Sequence, residues 1–417
     1  TNVQRILLAV APSNPSVIYT AIINGLSGLR GLYRSADGGD NWGVKANTPN
    51  FPYPQGWYDA FLGVDPTDEN TVYGGGVFPT YAVAGVIKST NGGDSWLDIS
   101  CPGACLSEPN LHPDQHAIAF GSDGTLWVGN DGGVWKSTDG GVNWINTNAT
   151  LNVTQNYAVA LNPADPVQVM GGTQDNGTVE RQVDDEDWPQ ILGGDGGFLA
   201  YDFNEPGRRY ITYVQLSVYR LFGGTTTNIS GPWGGDRRDF IAPLDMDPND
   251  SETLYGGTYR VWRTQNASGF ASWSSYSGDL TDGGTLSAIA VAVGTSGVIY
   301  TGSSDGKVFV KPSAAGAWQD RSAGLPSGEV SDIVIDPADP AHAFVAFHNT
   351  SSNRVLETTT GGSSWVDVTG TLANGVGGRA LAVDWRANPP ILFVGSGAGV
   401  YWSTDRGASW TKDGNDL

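Results

Sequence analysis

The sequence predicts an all-β fold, a β-propeller built from four-stranded blades, and three observations indicate it. The 417 residues include 59 Gly, 23 Pro and 15 Trp, a composition typical of many short strands joined by tight turns. An eight-residue pattern, S/T-x-D/N/T-x-G-x-x-W, recurs along the chain. The pattern belongs to a longer repeat of about 46 residues, the length of a four-stranded propeller blade.

The recurring pattern has the composition of a tight turn that leads into a strand. A short Asp or Asn caps the turn through its own side chain, Gly supplies a positive φ, and Trp anchors the outgoing strand. The copies occupy residues 35–42, 89–96, 137–144, 358–365 and 403–410.

Each repeat contains four predicted strands in the same order. The first strand is apolar and often ends in an Asp-Pro or Asn-Pro turn, as in residues 62–66. A second strand, such as 71–73, precedes a Gly-rich loop, and a third strand, such as 133–136, precedes the recurring turn. The Trp that ends the turn then begins the fourth strand.

Counting these repeats predicts nine blades in one ring, within a single domain over residues 1–417. A ten-bladed ring, or a seven-bladed ring followed by part of a second ring, are the alternatives. The fifth repeat is the least regular, because no turn motif follows its third strand. The repeats cover approximately residues 6–42, 61–96, 117–144, 158–188, 198–222, 242–273, 288–320, 332–365 and 380–410.

In a propeller, the loops between second and third strands share one face with the crossings between blades, and we expect ligands to bind there. His112, Asp114 and His116 alternate in one crossing, so an extended segment would present them on one side. With Asp131 or Asp175 nearby, they are candidate ligands of a divalent metal, Zn, Mn or Fe rather than Ca. The alternatives are capping of buried backbone and general acid–base chemistry or hydrogen bonding to a ligand.

Two aspartates in Gly-rich loops of the same face are the candidate catalytic residues. Glycoside hydrolysis uses such a pair, one protonating the leaving oxygen and the other activating water or attacking the sugar. Asp131 and Asp195 have this character, although both are also typical turn residues beside glycine.

Aromatic and charged residues of the same loops are candidates for substrate binding. Trp57 and Tyr58 offer a platform for stacking against a sugar, with core packing between blades as the alternative. Three arginines could grip a substrate carboxylate as in sialidases, but no F/Y-R-I-P segment precedes the first turn motif. The other expected substrate-binding residues are Asp59, Asp175, Arg237, Tyr259, Arg260 and Arg379.

The turn motif resembles the Asp-box (BNR) repeat of sialidase-like and sortilin-like β-propellers. Residues 129–136 (GNDGGVWK) and 193–198 (GGDGGF) are similar to the two catalytic segments of family 74 glycoside hydrolases, the xyloglucan-cleaving propellers. That resemblance implies catalytic roles for Asp131 and Asp195. The order H-x-D-x-H, GNDGGV, QDNG over about 110–200 also resembles secreted bacterial sortilin-like or BNR-repeat proteins.

Charge and composition narrow the classes of partner. The net charge is −21, which disfavours nucleic acid because phosphate binding requires a basic face. No apolar run is long enough for a membrane span. Cys101 and Cys105 are the two cysteines, and a local disulfide between them would suit a secreted protein. We therefore expect an extracellular or cell-surface protein.

Two functional hypotheses follow. The first is a secreted propeller that recognises carbohydrate, with hydrolysis of a neutral plant or microbial polysaccharide by Asp131 and Asp195 as its enzymatic form. The second is a non-catalytic surface or assembly scaffold that binds protein or glycan. A separation of the two carboxylates of roughly 5–10 Å would favour hydrolysis.

Overall fold

The protein is all-β, as predicted. The computed structural model describes residues 2–77, 84–100, 111–151, 154–184, 187–294, 297–348, 354–373 and 376–414. Every regular element in these ranges is a β-strand, apart from a 3₁₀ turn at Val214–Leu216. The strands form nine four-stranded antiparallel sheets, each built from four strands that are consecutive in the chain. These sheets are the nine blades of a β-propeller fold. No described segment is a helix with the length and apolar character that crossing a membrane requires.

The chain forms two compact units, unit 1 (Thr1–Thr154) and unit 2 (Gln155–Leu417). The strands of unit 1, blades 1 to 3, are β1 Val3–Val10, β2 Ile18–Asn24, β3 Leu29–Ser35, β4 Gly43–Lys45, β5 Phe61–Val64, β6 Val72–Val77, β7 Ala84–Ser89, β8 Leu97–Asp98, β9 Gln115–Phe120, β10 Leu126–Asn130, β11 Gly133–Ser137 and β12 Ile145–Asn146. The single domain predicted over 1–417 stays a prediction, because repeated blades contact mainly their neighbours and can cluster into compact groups.

Unit 2 contains blades 4 to 9, each again with four strands. They are β13 Asn156–Asn162, β14 Asp165–Thr173, β15 Gly177–Arg181, β16 Gln190–Leu192, β17 Leu199–Tyr201, β18 Arg209–Tyr213, β19 Ser217–Phe222, β20 Thr225–Asn228, β21 Leu244–Met246, β22 Leu254–Gly257, β23 Val261–Thr264, β24 Ser274–Ser275, β25 Leu286–Val291, β26 Val298–Ser303, β27 Val308–Pro312, β28 Gln319–Asp320, β29 Glu329–Asp336, β30 Asp339–His348, β31 Val355–Thr358, β32 Val366–Asp367, β33 Ala380–Asp384, β34 Ile391–Ser396, β35 Gly399–Ser403 and β36 Thr411–Lys412.

The nine sheets coincide with the nine repeats counted in the sequence. The fifth repeat, the least regular of the nine, still forms a complete blade. Its third and fourth strands are joined by Gly223 and Gly224, whose φ values are +57° and +75°. Two consecutive residues with positive φ make the tight hairpin turn that suits the twist of antiparallel strands. A glycine pair therefore replaces the eight-residue turn in this blade.

Blades stack on the next blade along the chain within each unit. The first strand of one blade contacts the first strand of the following blade, as β1 does with β5 and β5 with β9. The buried apolar clusters lie between consecutive blades. Between blades 2 and 3, for example, Phe61 and Tyr73 pack with Leu126 and Val128. Consecutive blades within each unit thus bury apolar surface against each other, which is how a repeat too small to fold alone is stabilised.

The recurring turn has the geometry that its sequence predicts. In blade 3, Ser137 Oγ donates to Asp139 Oδ1 at 2.8 Å and accepts the N–H of Gly141 at 2.9 Å. The Asp139 carboxylate also accepts the N–H of Asn143 at 2.9 Å. Gly140 and Gly141 have φ values of +76° and +94°. The Ser–Asp pair therefore satisfies backbone donors inside the turn, which marks these aspartates as structural.

In several blades a tryptophan at the start of the fourth strand donates a hydrogen bond to the preceding blade, whereas Trp42 and Trp96 donate to Gly39 and Gly93 of their own turns. Trp144 Nε1 donates to the carbonyl of Ile99 at 2.7 Å, in the segment that follows the fourth strand of blade 2. Equivalent bonds in unit 2 join Trp273 to Ile229, Trp318 to Tyr276, Trp365 to Arg321 and Trp410 to Val368. The side chain expected to anchor its own strand thus also ties consecutive blades together.

The recurring turns share one face of the blades with the loops between first and second strands, and the other loops lie on the opposite face. Gly38 and Gly92, in two of the turns, donate their N–H groups to carbonyls in the loops that join first and second strands. At the other end of the strands, Gly56 in a blade crossing donates to Ser27 in the loop between second and third strands. Crossings therefore share a face with these loops, and this loop face carries the candidate site residues.

Two turn glycines provide a matched test of the packing. We expect Gly38→Ala to lower the free energy of unfolding by about 1 kcal/mol, because φ is +75° but no atom lies within 4 Å of the added Cβ. Gly141→Ala should lower it by roughly 2–4 kcal/mol, since the Cβ also meets Ile99 Cδ1 at 2.5 Å. Urea unfolding of the two variants measures the difference, and equal losses would contradict the packing described.

Carboxylates also bridge first strands of neighbouring blades in unit 2. Asp332 of β29 accepts the N–H of Leu381 in β33 at 2.7 Å, and Asp245 of β21 accepts the N–H of Val291 in β25 at 3.2 Å. Burial raises the pKa of Asp332 to about 6 and the pKa of Asp245 to about 7. The folded state therefore prefers the protonated form of both carboxyl groups.

This preference predicts how stability depends on pH. A carboxyl group whose pKa is raised by folding adds to the free energy of unfolding. This addition is complete below the pKa of the unfolded chain, near 3.9, and for Asp332 it is lost as pH rises through about 6. In Asp332→Asn the side chain stays neutral, so the melting temperature of the variant relative to wild type should increase between pH 4 and 7. Asp384→Asn is the control. Because the pKa of Asp384 is lowered to about 2, the difference in melting temperature between this variant and wild type should not change with pH above pH 5. If the difference in melting temperature between Asp332→Asn and wild type does not change with pH, the raised pKa of Asp332 is contradicted.

Candidate functional site

The structure brings together all the predicted site residues that belong to unit 1. They lie on the loop face of blades 2 and 3 and come from three segments: the crossing into blade 2, the crossing into blade 3, and the turn between β10 and β11. These residues, which we call the acidic site, are Trp57, Tyr58, Asp59, His112, Asp114, His116 and Asp131.

Close backbone approach brings the two blade 3 segments together. A Cβ on Gly132 would lie 2.5 Å from Cβ of His112, so only glycine fits where the turn meets the crossing. Gly133 has φ +105°, and Asn148 bridges this turn by accepting the N–H of Val134 and donating to the carbonyl of Gly132. The Gly-rich sequence around Asp131 therefore reflects this packing.

Two side chains hold the carboxylate of Asp131. His116 Nε2 lies 2.6 Å from Oδ1, and the Tyr58 hydroxyl donates to Oδ2 at 2.9 Å. The Tyr58 and His116 rings meet edge to face with centroids 4.8 Å apart. These two contacts fix the orientation of the Asp131 carboxylate.

Two further carboxyl groups lie beneath Asp131. Asp59 is fully buried and Asp114 is 8% exposed. Gln55 Nε2 donates to Asp114 Oδ1 at 2.9 Å, and the carboxyl of Asp59 faces that of Asp114 within hydrogen-bonding reach. One oxygen of Asp114 lies within 4.8 Å of one oxygen of Asp131. The three carboxyl groups therefore form one cluster.

Burial and mutual repulsion change the proton affinity of this cluster. Burial first, and then the charge of Asp114, raises the pKa of Asp59 to about 8. Burial and the charge of Asp131 also raise the pKa of Asp114. Asp59, expected from the sequence to contact substrate, instead lies below the surface and carries a proton at neutral pH.

The surface of the acidic site is aromatic. Trp57 is 61% exposed and Tyr58 37% exposed, with ring centroids 5.5 Å apart at an angle of 42°. Arg5 donates to the carbonyl of Tyr58 at 3.2 Å, which fixes the backbone under these rings. Large exposed indole surface beside carboxylates is typical of ligand-binding faces.

The histidine arrangement differs from the extended segment assumed from the sequence. Asp114 has φ +64°, so the chain turns at this residue and simple alternation does not apply. His112 Nδ1 lies 3.1 Å from the carbonyl of Pro113, whereas His116 contacts Asp131. The metal site proposed on His112, Asp114 and His116 stays a prediction.

Asp175 and Asp195 lie together in unit 2. Asp195 Oδ1 accepts the N–H of Asp175 at 3.0 Å, and Asp175 has φ +58°. Burial, followed by the charges of these two carboxylates, raises the pKa of Tyr157 to about 12. Asp195 thus stabilises the loop between β14 and β15 by accepting the backbone N–H of Asp175. Its pairing with Asp131 would join residues of different units and stays a prediction.

Arginines of unit 2 are engaged by carboxylates. Arg260 binds Asp236 through Nε at 3.1 Å and Nη2 at 2.7 Å, and Arg237 binds Asp279 at 2.8 Å. The Tyr259 ring lies between them, with guanidinium carbons 4.6 and 4.5 Å from its centroid. These ion pairs give Arg237 and Arg260 structural partners in place of the substrate carboxylate expected for a sialidase.

Arg379 belongs to a different neighbourhood of unit 2. Its charge lowers the pKa of His348 in addition to the effect of burial, and it opposes the rise in the pKa of Glu329 that burial and Asp239 cause. Arg379 therefore lies beside an acidic residue and a histidine of blade 8, whereas Arg237 and Arg260 lie beside Tyr259.

Sequence reasoning missed the residues that support the site. Gln55, which holds Asp114, and Asn148, which clamps the turn after Asp131, carry no motif of their own. Asp236 lies just before the predicted Arg237, and its role depends on contacts with Arg260 and Trp262 far along the chain. The one feature of the sequence that pointed to Gln55 as a site residue was its position two residues before Trp57.

Comparisons with known proteins give distant structural similarity. No family model and no curated protein matches the sequence. Among solved structures, the chain is similar to the Niastella koreensis GH74 enzyme (15% identity, 97% of this chain and 77% of that one, TM-score 0.27). It is similar to the GH74 xyloglucanase from Xanthomonas campestris (15%, 98% and 66%, TM-score 0.28). A third is the β-propeller domain of Myceliophteria thermophila Cps50 (8%, 62% and 88%, TM-score 0.47). At these levels of similarity, function has to be inferred from the site itself.

The two ion pairs of unit 2 should differ in their effect on stability. Asp236 is 7% exposed and also accepts bonds from Trp262 and Thr258, so Asp236→Ala should lower the free energy of unfolding by roughly 2–3 kcal/mol. Asp279 and Arg237 are almost half exposed, so Asp279→Ala should lower it by less than about 1 kcal/mol. Denaturant unfolding tests this order, and the reverse order would show that Asp236 is not a structural residue.

Proposed function

We propose that this protein recognises a neutral carbohydrate through the acidic site of unit 1. The observation that carries the proposal is the exposed Trp57 ring, adjacent to Tyr58 and the Asp131–His116 pair. A sugar presents an apolar C–H face that stacks on an aromatic ring and hydroxyl groups that bond to carboxylates and imidazoles. Trp57 would supply the stacking surface, and Asp131 and His116 would supply the polar contacts.

Charge supports a neutral rather than an acidic glycan. The chain carries a net charge of −21, and acidic side chains are gathered at the acidic site. A polyanionic sugar would be repelled at this surface. We accordingly propose a plant or microbial polysaccharide without acidic groups, bound by a secreted or cell-surface protein.

Hydrolysis by Asp131 and Asp195 is the enzymatic form of this proposal. Support comes from the hydrogen bonds of Tyr58 and His116 to Asp131, because a carboxylate held in a fixed orientation is suited to act on a bound sugar. The non-catalytic scaffold remains the second candidate. It is favoured by the hydrogen bond between Asp195 and the Asp175 backbone, which gives Asp195 a loop-stabilising role.

The binding proposal is tested with a panel of neutral polysaccharides, xyloglucan among them, by affinity electrophoresis and calorimetry. We expect Trp57→Ala to weaken binding at least about tenfold, because it removes the stacking surface. Trp42→Ala is the matched control: Trp42 is 41% exposed in unit 1 but lies on the turn face, so binding should be unchanged. Equal loss in both variants, or no binding to any member of the panel, would overturn the proposal.

The same panel separates the enzyme from the scaffold. If the protein hydrolyses the bound glycan, reducing ends should accumulate, and Asp131→Asn and Asp195→Asn should each lower turnover about 100-fold with little change in melting temperature. Binding without release of reducing ends would support the scaffold and reject the catalytic roles.

A further inference from the structure

We propose that Tyr53 provides a second stacking surface for the glycan, so that unit 1 binds an internal stretch of a neutral polysaccharide rather than a single terminal sugar. This inference rests on the proposed function, because it concerns the same glycan on the same loop face. Tyr53 lies four residues before Trp57, in the crossing into blade 2, and belongs neither to a sequence motif nor to the acidic site.

The crossing into blade 2 exposes three aromatic side chains within one short segment. Tyr53 is 45% exposed, Trp57 is 61% exposed and Tyr58 is 37% exposed. Phe51 of the same segment is fully buried, so the segment does have access to the core. Single exposed apolar residues are normal on a protein surface, whereas a group of exposed rings indicates a surface that a ligand covers.

Hydrogen bonds fix the chain between Tyr53 and Trp57. The N–H of Gln55 donates to the carbonyl of Pro52 at 2.9 Å, and the N–H of Tyr58 donates to the carbonyl of Gln55 at 2.7 Å. The two rings therefore belong to consecutive turns of one segment. Four residues span at most about 14 Å when fully extended, and turns shorten that span, so one oligosaccharide can reach both side chains.

The loop between β2 and β3 supports Tyr53 from the side. A Cβ on Gly28 would lie 3.4 Å from the Tyr53 ring, and Gly56 donates its N–H to the carbonyl of Ser27 at 3.1 Å. A Cβ on Gly56 would lie 2.8 Å from the same carbonyl oxygen, so only glycine permits this approach. Leu26, which is 82% exposed, adds apolar surface on this loop. The backbone around Tyr53 is thus held before a ligand arrives, which reduces the ordering cost of binding.

The pattern of apolar and polar groups favours a sugar chain over a protein partner. Tyr53 is separated from Trp57 by three residues, one of which, Gln55, bonds to Asp114. A stable protein interface has a continuous apolar core, whereas each sugar needs one aromatic face with polar groups around it. Because one ring stacks against one sugar, two separate stacking surfaces indicate a ligand of at least two sugar residues.

The test measures how the affinity of the full chain depends on glycan length. Oligosaccharides from disaccharide to octasaccharide are prepared from the panel polysaccharide that binds, xyloglucan among the candidates, and titrated by calorimetry. Tyr53→Ala should weaken binding of the longer oligosaccharides about tenfold and leave the disaccharide unaffected, because Asp131 and His116 hold the shortest ligand at Trp57. Trp57→Ala should weaken binding at every length.

Two control variants make the result specific to stacking by Tyr53. Tyr53→Phe keeps the ring and should bind every oligosaccharide as the wild type does. Leu97→Ala removes a 67% exposed apolar side chain from the fourth strand of blade 2 and should also bind as the wild type does. A loss of affinity in Tyr53→Phe as large as that in Tyr53→Ala would overturn the stacking role.

The remaining outcomes separate this inference from the proposed function. If Trp57→Ala weakens binding but Tyr53→Ala matches the wild type at every length, the second stacking surface is rejected and the proposed function stands. If no neutral polysaccharide binds, both are rejected. If the wild type self-associates in sedimentation, and Tyr53→Ala abolishes that association without changing glycan affinity, the surface is a contact between copies of this chain and the inference is overturned.

Discussion

The indole hydrogen bond between consecutive blades is the contact on which much of this structure depends. Trp144, Trp365 and their equivalents place an apolar ring between two blades and donate Nε1 to a carbonyl of the preceding blade. A buried N–H requires an acceptor, so this bond fixes the position of one blade against the next, while the ring contributes apolar burial. Trp273 and Trp318 make the same contact in blades that lack the turn motif, which indicates that the contact matters more than the turn.

The two faces of the blades have different chemistry. On the turn face, aspartates such as Asp139 meet serine hydroxyls and backbone N–H groups within their own turn, so their charge is satisfied locally. On the loop face of unit 1, Asp59 and Asp114 meet each other and Asp131 instead. Carboxyl groups gathered close to one another at low exposure are unfavourable for folding, and such an arrangement is characteristic of sites that bind a ligand.

The acidic site combines an exposed and a buried layer. Trp57 and Tyr58 form the surface that would meet a sugar, and Asp59 and Asp114 lie beneath it. Asp131 belongs to both layers, because it contacts Tyr58 and His116 and also approaches Asp114.

The sequence by itself determined the all-β class, the nine repeats and the turns, because these depend on contacts within a few residues. Ser137, Asp139 and the turn glycines satisfy one another locally, so their pattern is readable without the fold. The tertiary structure alone decided that Asp59 is buried, that Gln55 holds Asp114, and that Asp236 neutralises Arg260. Burial, pKa and ion pairing depend on residues from separate blades or crossings, and no local pattern encodes which of these segments come together.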